Sequence, residues 1–507
     1  MLSLAVTALL GLACCAQATA RAGPAARAVR GARTARTTRT TKATTSRVLI
    51  TQTTQNLSEL VRPLAARRFS AATRARPGQP VIAIDDSLRR QRFFGVGGGM
   101  TDSSAWLIWT QLPPAQRDAL MKLLFSPSGA HLSFLRVPIG ASDYTHDATP
   151  YSYDDLPAGE TDPQLTKFSV AHDEAYILPA LRAARTLNPR MYLEGVPWSP
   201  PGWMKTNDAL DNIDHTGALE PRYDGAFAQY FVRFLRAYAA QGVPVNGVAI
   251  QDEPNEPNPY PGMQLTPAHE AILARRYLRP ALRSAGLPVD LFGWDLSWGP
   301  LGPDDPLVRA AAQGALSGLA WHCYFGRPGD MARAHAAAPR SVQIVDECSS
   351  GANDAFPTAE LLISSARNWA NAVGMWNLAL VPGGGPAQAL GYGCAACTGI
   401  VTIDPRTQRY TLSRDYWQLA QFSRFVQPGA VRVESPNFVS YTLGALRHYQ
   451  TVITPGLDDV AFVNPDGSRV LFAYNNSPKA IAFAVRWRGS SFTDTIPGHA
   501  TTTFRWR

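Results

Sequence analysis

The sequence predicts an α/β fold: a (β/α)8 TIM barrel with a fused all-β side domain built from both chain ends. Three observations carry this. Between Phe93 and Leu378, short apolar runs alternate with longer segments whose apolar residues recur at a helical period, the pattern of parallel strands and crossover helices. There are eight such runs, the number that closes a barrel. From Ala430 to Arg507 the pattern changes to alternation, at Val460, Phe462, Val470, Phe472, Ile481, Phe483 and Val485, with turns at Pro465-Asp466-Gly467 and Pro497-Gly498.

The composition suits such a chain. Of 507 residues, 45% are hydrophobic, 17% charged and 10% aromatic, too apolar and too aromatic for a disordered protein. The net charge of +9 sits in the tail: Met1 to Arg76 carries thirteen Lys or Arg and one acid, Glu59, which leaves −3 for residues 77 to 507. The body is mildly acidic, so no nucleic-acid partner is expected.

Taken in order, residues 1–20 read as a signal peptide. Leu2 to Ala13 is apolar but too short to span a bilayer, and Ala18-Thr19-Ala20 is a small-residue cleavage site, although no Lys or Arg precedes the apolar stretch. The expected location is secreted or extracellular, with no transmembrane helix. Residues 21–46 repeat Arg, Thr and Ala without an acid, the composition of a disordered spacer; contact with an anionic surface is the alternative reading of this basic tail. Residues 47–92 hold two strand-like runs, Arg47 to Thr51 and Val81 to Ile84, too isolated to stand alone and expected to join the C-terminal sheet of residues 426–507.

The barrel is expected over residues 93–425. Its candidate strands are Phe93 to Gly98, Leu132 to Pro138, Met191 to Val196, Gly247 to Ile250, Val289 to Trp294, Leu319 to Tyr324, Val342 to Asp346 and Val373 to Leu378. Its clearest helix places Phe227, Tyr230, Phe231, Phe234, Leu235 and Tyr238 on one face.

In such a barrel the active site lies at the C-terminal ends of the strands. The polar residues there are dominated by carboxylates and Trp: Asp102, Asp143, Trp198, Trp203, Asp252, Glu253, Asp295, Trp298, His322, Tyr324, Glu347 and Trp376. No Ser elbow, Cys/His pair or metal constellation is read there, and no cofactor is expected. Gly95, Gly97, Gly98 and Gly99 do not make a dinucleotide loop, because Met100 stands where Gly or Ala belongs.

Such a mouth suits sugar. Two carboxyl groups about 5 to 5.5 Å apart can hydrolyse a glycosidic bond with retention, one protonating the leaving oxygen while the other attacks the anomeric carbon. Indole rings offer flat platforms to a pyranose. Glu253 and Glu347, after strands four and seven, are the candidate pair.

The motifs Phe94-Gly95-Val96-Gly97-Gly98-Gly99-Met100-Thr101-Asp102, Arg136-Val137-Pro138, Ser199-Pro200-Pro201-Gly202-Trp203-Met204-Lys205-Thr206-Asn207, Gln251-Asp252-Glu253-Pro254 and Trp376-Asn377-Leu378-Ala379-Leu380 resemble glycoside hydrolase family 30. That clan A family includes glucosylceramidases, endo-β-1,6-glucanases and xylanases. The resemblance implies a retaining glycosidase with Glu253 as acid/base and Glu347 as nucleophile. It implies a glycone pocket lined by Asp102, Trp198 and Trp376, with His322 and Tyr324 beside the nucleophile. Asp252 departs from the family, which has Asn there. An ionised Asp accepts but does not donate, and Asp252 is expected to retune the pH profile. Asn255-Glu256-Pro257 offers Glu256 as an alternative acid/base.

The leading expectation is an exported glucosylceramidase-like β-glucosidase, acting on a glucoside or β-glucan. An endo-β-1,6-glucanase or related polysaccharide hydrolase is the alternative, and a non-catalytic carbohydrate-binding protein the third reading. Blander roles stay open for Asp102, as a helix cap, for Asp143 and Asp295, as loop carboxylates, and for His322, in the core. Cys394 and Cys397 are expected to pair, while Cys323 and Cys348 are either a disulfide or two buried thiols.

Overall fold

The computed structural model describes residues 45–349, 357–387, 397–443 and 451–507. Residues 1–44, where a signal peptide and most of a spacer are expected, and Cys394 lie outside them. No helix among the described residues is long and apolar enough to cross a membrane.

Three strands lead in: β1 (Arg47–Thr53), β2 (Arg62–Arg68) and β3 (Val81–Arg92). The sequence reading missed β2, because Arg-Pro-Leu-Ala-Ala-Arg-Arg has no β-branched residue and little alternation. As an edge strand it needs only Leu64 and Ala66 turned inward, and its charges guard the open edge.

The barrel strands follow as β4 (Gly95–Gly99), β5 (Phe134–Pro138), β6 (Tyr192–Val196), β7 (Gly247–Ala249), β8 (Asp290–Ser297), β9 (Gly318–His322), β10 (Val342–Glu347) and β11 (Ala370–Met375). They pair in parallel and in chain order, and β11 returns to β4 to close the barrel. The last strand starts and ends three residues before the expected Val373 to Leu378, because its small residues Ala370, Asn371 and Ala372 give no apolar signal. Trp376 and Asn377 therefore lie beyond the strand end.

Alternation decides what faces the axis. Leu135 and Val137 of β5 pack outward against the helices, while Phe134 joins Val196, Ala249, Phe292, Ala320, Ile344 and Ala372 inside the barrel. The glycines of β4 let this layer close: a Cβ on Gly97 would strike the Phe134 carbonyl, and one on Gly99 would lie 2.5 Å from the Trp376 ring.

After β11 come a small sheet, β12 (Ala379–Leu380), β13 (Val401–Asp404) and β14 (Arg409–Leu412), and the helix Arg414–Ser423. The C-terminal strands are β15 (Val431–Glu434), β16 (Tyr441–Leu443), β17 (Thr451–Ile453), β18 (Leu457–Val463), β19 (Arg469–Asn475), β20 (Ile481–Trp487), β21 (Ser490–Ile496) and β22 (Thr501–Trp506). Both chain ends meet in one sheet, in the order β2-β1-β22-β19-β18-β15-β3-β20-β21.

The helix Arg414–Ser423 seats this sheet on the barrel. Gln421 donates to the Thr51 carbonyl at 3.0 Å and accepts from Thr53 Oγ1 at 2.8 Å, and its own carbonyl accepts from Thr503 Oγ1 at 2.7 Å. Beside it Phe93 packs against Phe422 and Phe462, both at 5.5 Å between ring centres. Truncating such a buried ring to Ala costs about 3–5 kcal/mol.

Candidate active site

One strand residue organises the mouth. Arg136, two residues after Phe134, shares its inward face and is fully buried. Its Nη1 donates to Glu347 Oε2 at 2.5 Å, and its Nη2 donates to Asp252 Oδ1 at 2.7 Å and to Asp295 Oδ1 at 2.9 Å. Its Nε stands 3.1 Å from Asp346 Oδ2, an ion contact without the alignment of a hydrogen bond. The guanidinium also lies 4.8 Å from the Trp198 ring and 5.3 Å from Trp376, which stack on each other at 5.2 Å.

His322, at the end of β9, is the second organiser. Its Nδ1 meets Glu253 Oε1 at 3.0 Å and its Nε2 meets Asp295 Oδ1 at 2.9 Å. Both ring nitrogens face carboxylate oxygens, which only a doubly protonated imidazole satisfies with both oxygens ionised. Its pKa is accordingly raised well above the usual value: burial opposes this, but the Glu347 charge and the bonds to Asp295 and Glu253 prevail. His322 is fully buried, and both its ring nitrogens are taken by carboxylates of the mouth.

Glu253 and Glu347 thus converge. The same His322 Nδ1 is 3.0 Å from Glu253 Oε1 and 3.9 Å from Glu347 Oε1, so those oxygens are no further apart than the two lengths laid end to end. Tyr324 donates its hydroxyl to Glu347 Oε1 at 2.9 Å. Glu347 therefore has a donor on each oxygen, and its side chain is 8% exposed against 21% for Glu253. Backbone strain accompanies the pair. Glu253 has φ +38°, Trp294 +77° and Asp295 +44°, and the Glu253 N–H bonds the Asp295 carbonyl at 3.0 Å, tying these left-handed residues together. Glu256 is exposed, its N–H bonds the Glu253 carbonyl at 3.3 Å, and its carboxyl has no hydrogen bond to Arg136, His322 or Tyr324 among the described residues.

The electrostatics are those of too many acids for two cations. Glu194, Asp252, Glu253, Asp295, Asp346 and Glu347 surround Arg136 and His322. Burial first, and mutual repulsion after it, push Glu194, Asp252 and Asp346 well above the carboxylate range, against the pull of Arg136. Burial also raises Glu347, although His322 and Arg136 oppose it. Asp295 moves the other way: burial would raise it, but Arg136 and His322 hold it ionised. It therefore positions those two cations, while Asp143 is buried with an Oδ1 that accepts no hydrogen bond, close to the indole of Trp376.

Asp102 is engaged elsewhere. Its oxygens accept from the His146 N–H at 2.8 Å, His146 Nδ1 at 2.7 Å, His172 Nε2 at 2.9 Å and the Tyr176 hydroxyl at 2.5 Å. It does not cap the helix Asp102–Thr110; Thr101 does, accepting from the Ser104 N–H. All four strand-end indoles, Trp198, Trp203, Trp298 and Trp376, are buried, and Trp203 Nε1 donates to the Asp154 carbonyl. Cys323 and Cys348 form a disulfide joining the segment after β9 to that after β10. The sequence reading gave no role to Arg136, Glu194 or Asp346. A charged residue in phase with the axis-facing positions of a buried strand is the signal that finds them.

A model of the glycosyl hydrolase family 30 TIM-barrel domain matches residues 93–426, and one of the family's β-sandwich domain matches residues 429–504. An endo-1,6-β-D-glucanase of Neurospora crassa is 33% identical over 431 residues, covering 82% of this chain and 87% of its own. The lysosomal acid glucosylceramidase of Mus musculus is 25% identical, covering 84% and 83%. Among solved structures, the endo-β1,6-glucanase BT3312 superposes with a TM-score of 0.76 at 25% identity, over 90% of this chain and 99% of that one. Both domains and relatives over most of their length agree with the motifs and the barrel, which sets aside the non-catalytic reading: the chain belongs to glycosyl hydrolase family 30 and is a glycoside hydrolase.

Proposed function

We propose that the protein is an exported, retaining endo-β-1,6-glucanase. The observation that carries the chemistry is the convergence of Glu253 and Glu347 on one imidazole nitrogen, with Glu347 held by Arg136 and Tyr324 and Glu253 more open to solvent. In the first step Glu347 attacks the anomeric carbon while Glu253 gives its proton to the leaving oxygen. His322 occupies Glu253 Oε1, which leaves Oε2 to carry that proton. In the second step Glu253 takes a proton from water, which displaces Glu347 and restores both groups.

The 1,6-glucan is favoured by relatives of that activity at 31–33% identity, against 25–28% for the glucosylceramidases. Export is supported by the N-terminal apolar stretch and cleavage site. A ceramide glucoside is the second reading, favoured by Phe325, which follows Tyr324 and is 53% exposed.

Product analysis tests the choice. The purified protein and Glu347→Gln are incubated with β-1,6-glucan, glucosylceramide and an aryl β-glucoside. Oligosaccharides from the glucan, absent with the variant, support the proposal. Glucose from the ceramide substrate with the glucan intact overturns it in favour of the second reading.

A further inference from the structure

The fold separates charge in a way the catalytic reading does not use. Residues 47–92 and 426–507, which together build the side sheet, hold 17 Lys or Arg and 8 acids, while the barrel, residues 93–425, holds 24 and 31. A +9 domain is thus fused to a −7 barrel, although the two share one chain of modest net charge. The cationic excess is not spent on internal ion pairs. Among the described residues, Arg47, Arg68, Arg74 and Arg76 are exposed and make no ion pair with a carboxylate.

The register concentrates these charges. Arg47 of β1 stands directly opposite Arg68 of β2, and on the other side Leu49 faces Arg505, which brings Arg507 level with Arg47. Three arginine positions, Arg68, Arg47 and Arg507, therefore cross neighbouring strands in one row, with backbones about 4.8 Å apart per strand. Like charges placed opposite each other destabilise a ladder unless an anion bridges them. Among the described residues, one acidic side chain pairs with the row: Asp466, 3.3 Å from Arg507 and 2.9 Å from the neighbouring Arg505.

Arg47, Arg505 and Arg507 line a groove of about 510 Å³ with Leu49. A second groove, of about 1000 Å³, holds Arg67, Arg74 and Arg76 with Asp494 as its acid. Arg74 is steadied there by the carbonyls of Ala71 and Thr73.

We infer that these cationic grooves of the side domain bind an anionic polysaccharide, one whose successive sugars carry carboxylate or phosphate groups. A row of cations spaced like strands matches charges repeated along a sugar chain. Neither groove exposes an aromatic ring, Trp506 being 2% exposed, so the stacking platform that single-stranded nucleic acid uses is missing. Leu49 is the one large exposed apolar side chain beside the row, too little to insert into a membrane. The barrel as a whole carries −7 and disfavours the same polymer, so on the proposed reading the side domain tethers the enzyme to a charged matrix while the barrel cleaves a neutral glucan. The segment before it, residues 21–46, adds seven Lys or Arg and no acid in sequence.

The test is anisotropy of labelled polygalacturonate and of a labelled phosphorylated mannan with the full chain, over a salt series. Either polymer should bind, with affinity falling steeply as salt rises. The variant carrying Arg47→Ser, Arg68→Ser, Arg74→Ser and Arg76→Ser should bind at least about tenfold more weakly with a flatter salt slope, while hydrolysis of an aryl β-glucoside is unchanged. The tighter polymer identifies the anion. A second variant guards against misfolding: Arg68→Glu, facing Arg47, should raise the melting temperature yet weaken binding. Unchanged binding in both variants overturns the inference. So does loss of all binding on deleting residues 21–44 alone, or tighter binding of duplex DNA or anionic lipid vesicles than of either glycan.

Discussion

Tyr324→Phe removes a single oxygen from the site and tests its electrostatics directly. The hydroxyl donates to Glu347 Oε1 at 2.9 Å, while Arg136 holds the other oxygen. Burial raises the Glu347 pKa, and the Tyr324 bond is one of the influences that lower it again. A hydrogen bond to a charged group contributes about 1.5–3 kcal/mol, and one pKa unit corresponds to about 1.4 kcal/mol. The bond stabilises the carboxylate and not the acid, so its loss raises the Glu347 pKa further, by about one to two units. The nucleophile must be ionised in the free enzyme, so the acid limb of the kcat/KM profile should move to higher pH by that amount. The assay is kcat/KM for an aryl β-glucoside across the acid range, with circular dichroism to confirm the fold. An acid limb that stays in place would refute the reasoning: either Glu347 is not the ionising group, or its Arg136 contact alone sets the titration.

Other expectations follow from the same geometry. Glu253→Ala should slow hydrolysis of natural glucan by about 10²–10⁴, but should spare formation of the glycosyl-enzyme from a dinitrophenyl glucoside, whose leaving group needs no proton; Glu256→Ala showing that pattern instead would reassign the acid/base. Burial and its acidic neighbours raise the Asp252 pKa against the pull of Arg136, and in the protonated form its O–H donates as an amide would. Asp252→Asn cannot ionise, so activity should persist to higher pH; an unchanged alkaline limb counts against this. At the domain junction, Glu360 and Asp458 both contact the one hydroxyl of Tyr441, so at least one of them carries a proton. Burial and Asp458 raise Glu360 well above 4.5, so the native state binds a proton the unfolded chain releases, and stability falls as pH rises above that value. Calorimetry across that range should show a smaller fall for Glu360→Gln; equal slopes would exclude the pair as the source.

Periodicity made the eight strands, the helix face from Phe227 to Tyr238 and the C-terminal sheet legible, because element type depends on residues a few positions apart. Glu253 and Glu347 were legible for a related reason: each ends an apolar run, and the barrel architecture turns strand ends into a common rim. The edge strand β2 was not, since an edge tolerates polar residues that the alternation rule treats as loop. Nor was the separation of charge between sheet and barrel, because the sheet is assembled from segments more than 300 residues apart and no contiguous window shows its sum.

The sequence alone determined the family and the architecture: a glycoside hydrolase on a closed barrel, with carboxylates and indoles at its strand ends. The tertiary structure alone decided how those carboxylates are deployed. Arg136 reaches Asp252, Asp295 and Glu347 across 116, 159 and 211 residues, so which acid stays ionised, which keeps its proton and which serves only to position another depends on partners that strand order brings together. Asp102 shows the same limit from the other side, since its motif marked it for the pocket while His146, His172 and Tyr176 occupy its oxygens. Local pattern sets secondary structure because hydrogen bonding and side-chain phase are short-ranged. Ionisation is set by burial and by charges within a few ångströms in space, and only the folded chain defines those neighbours.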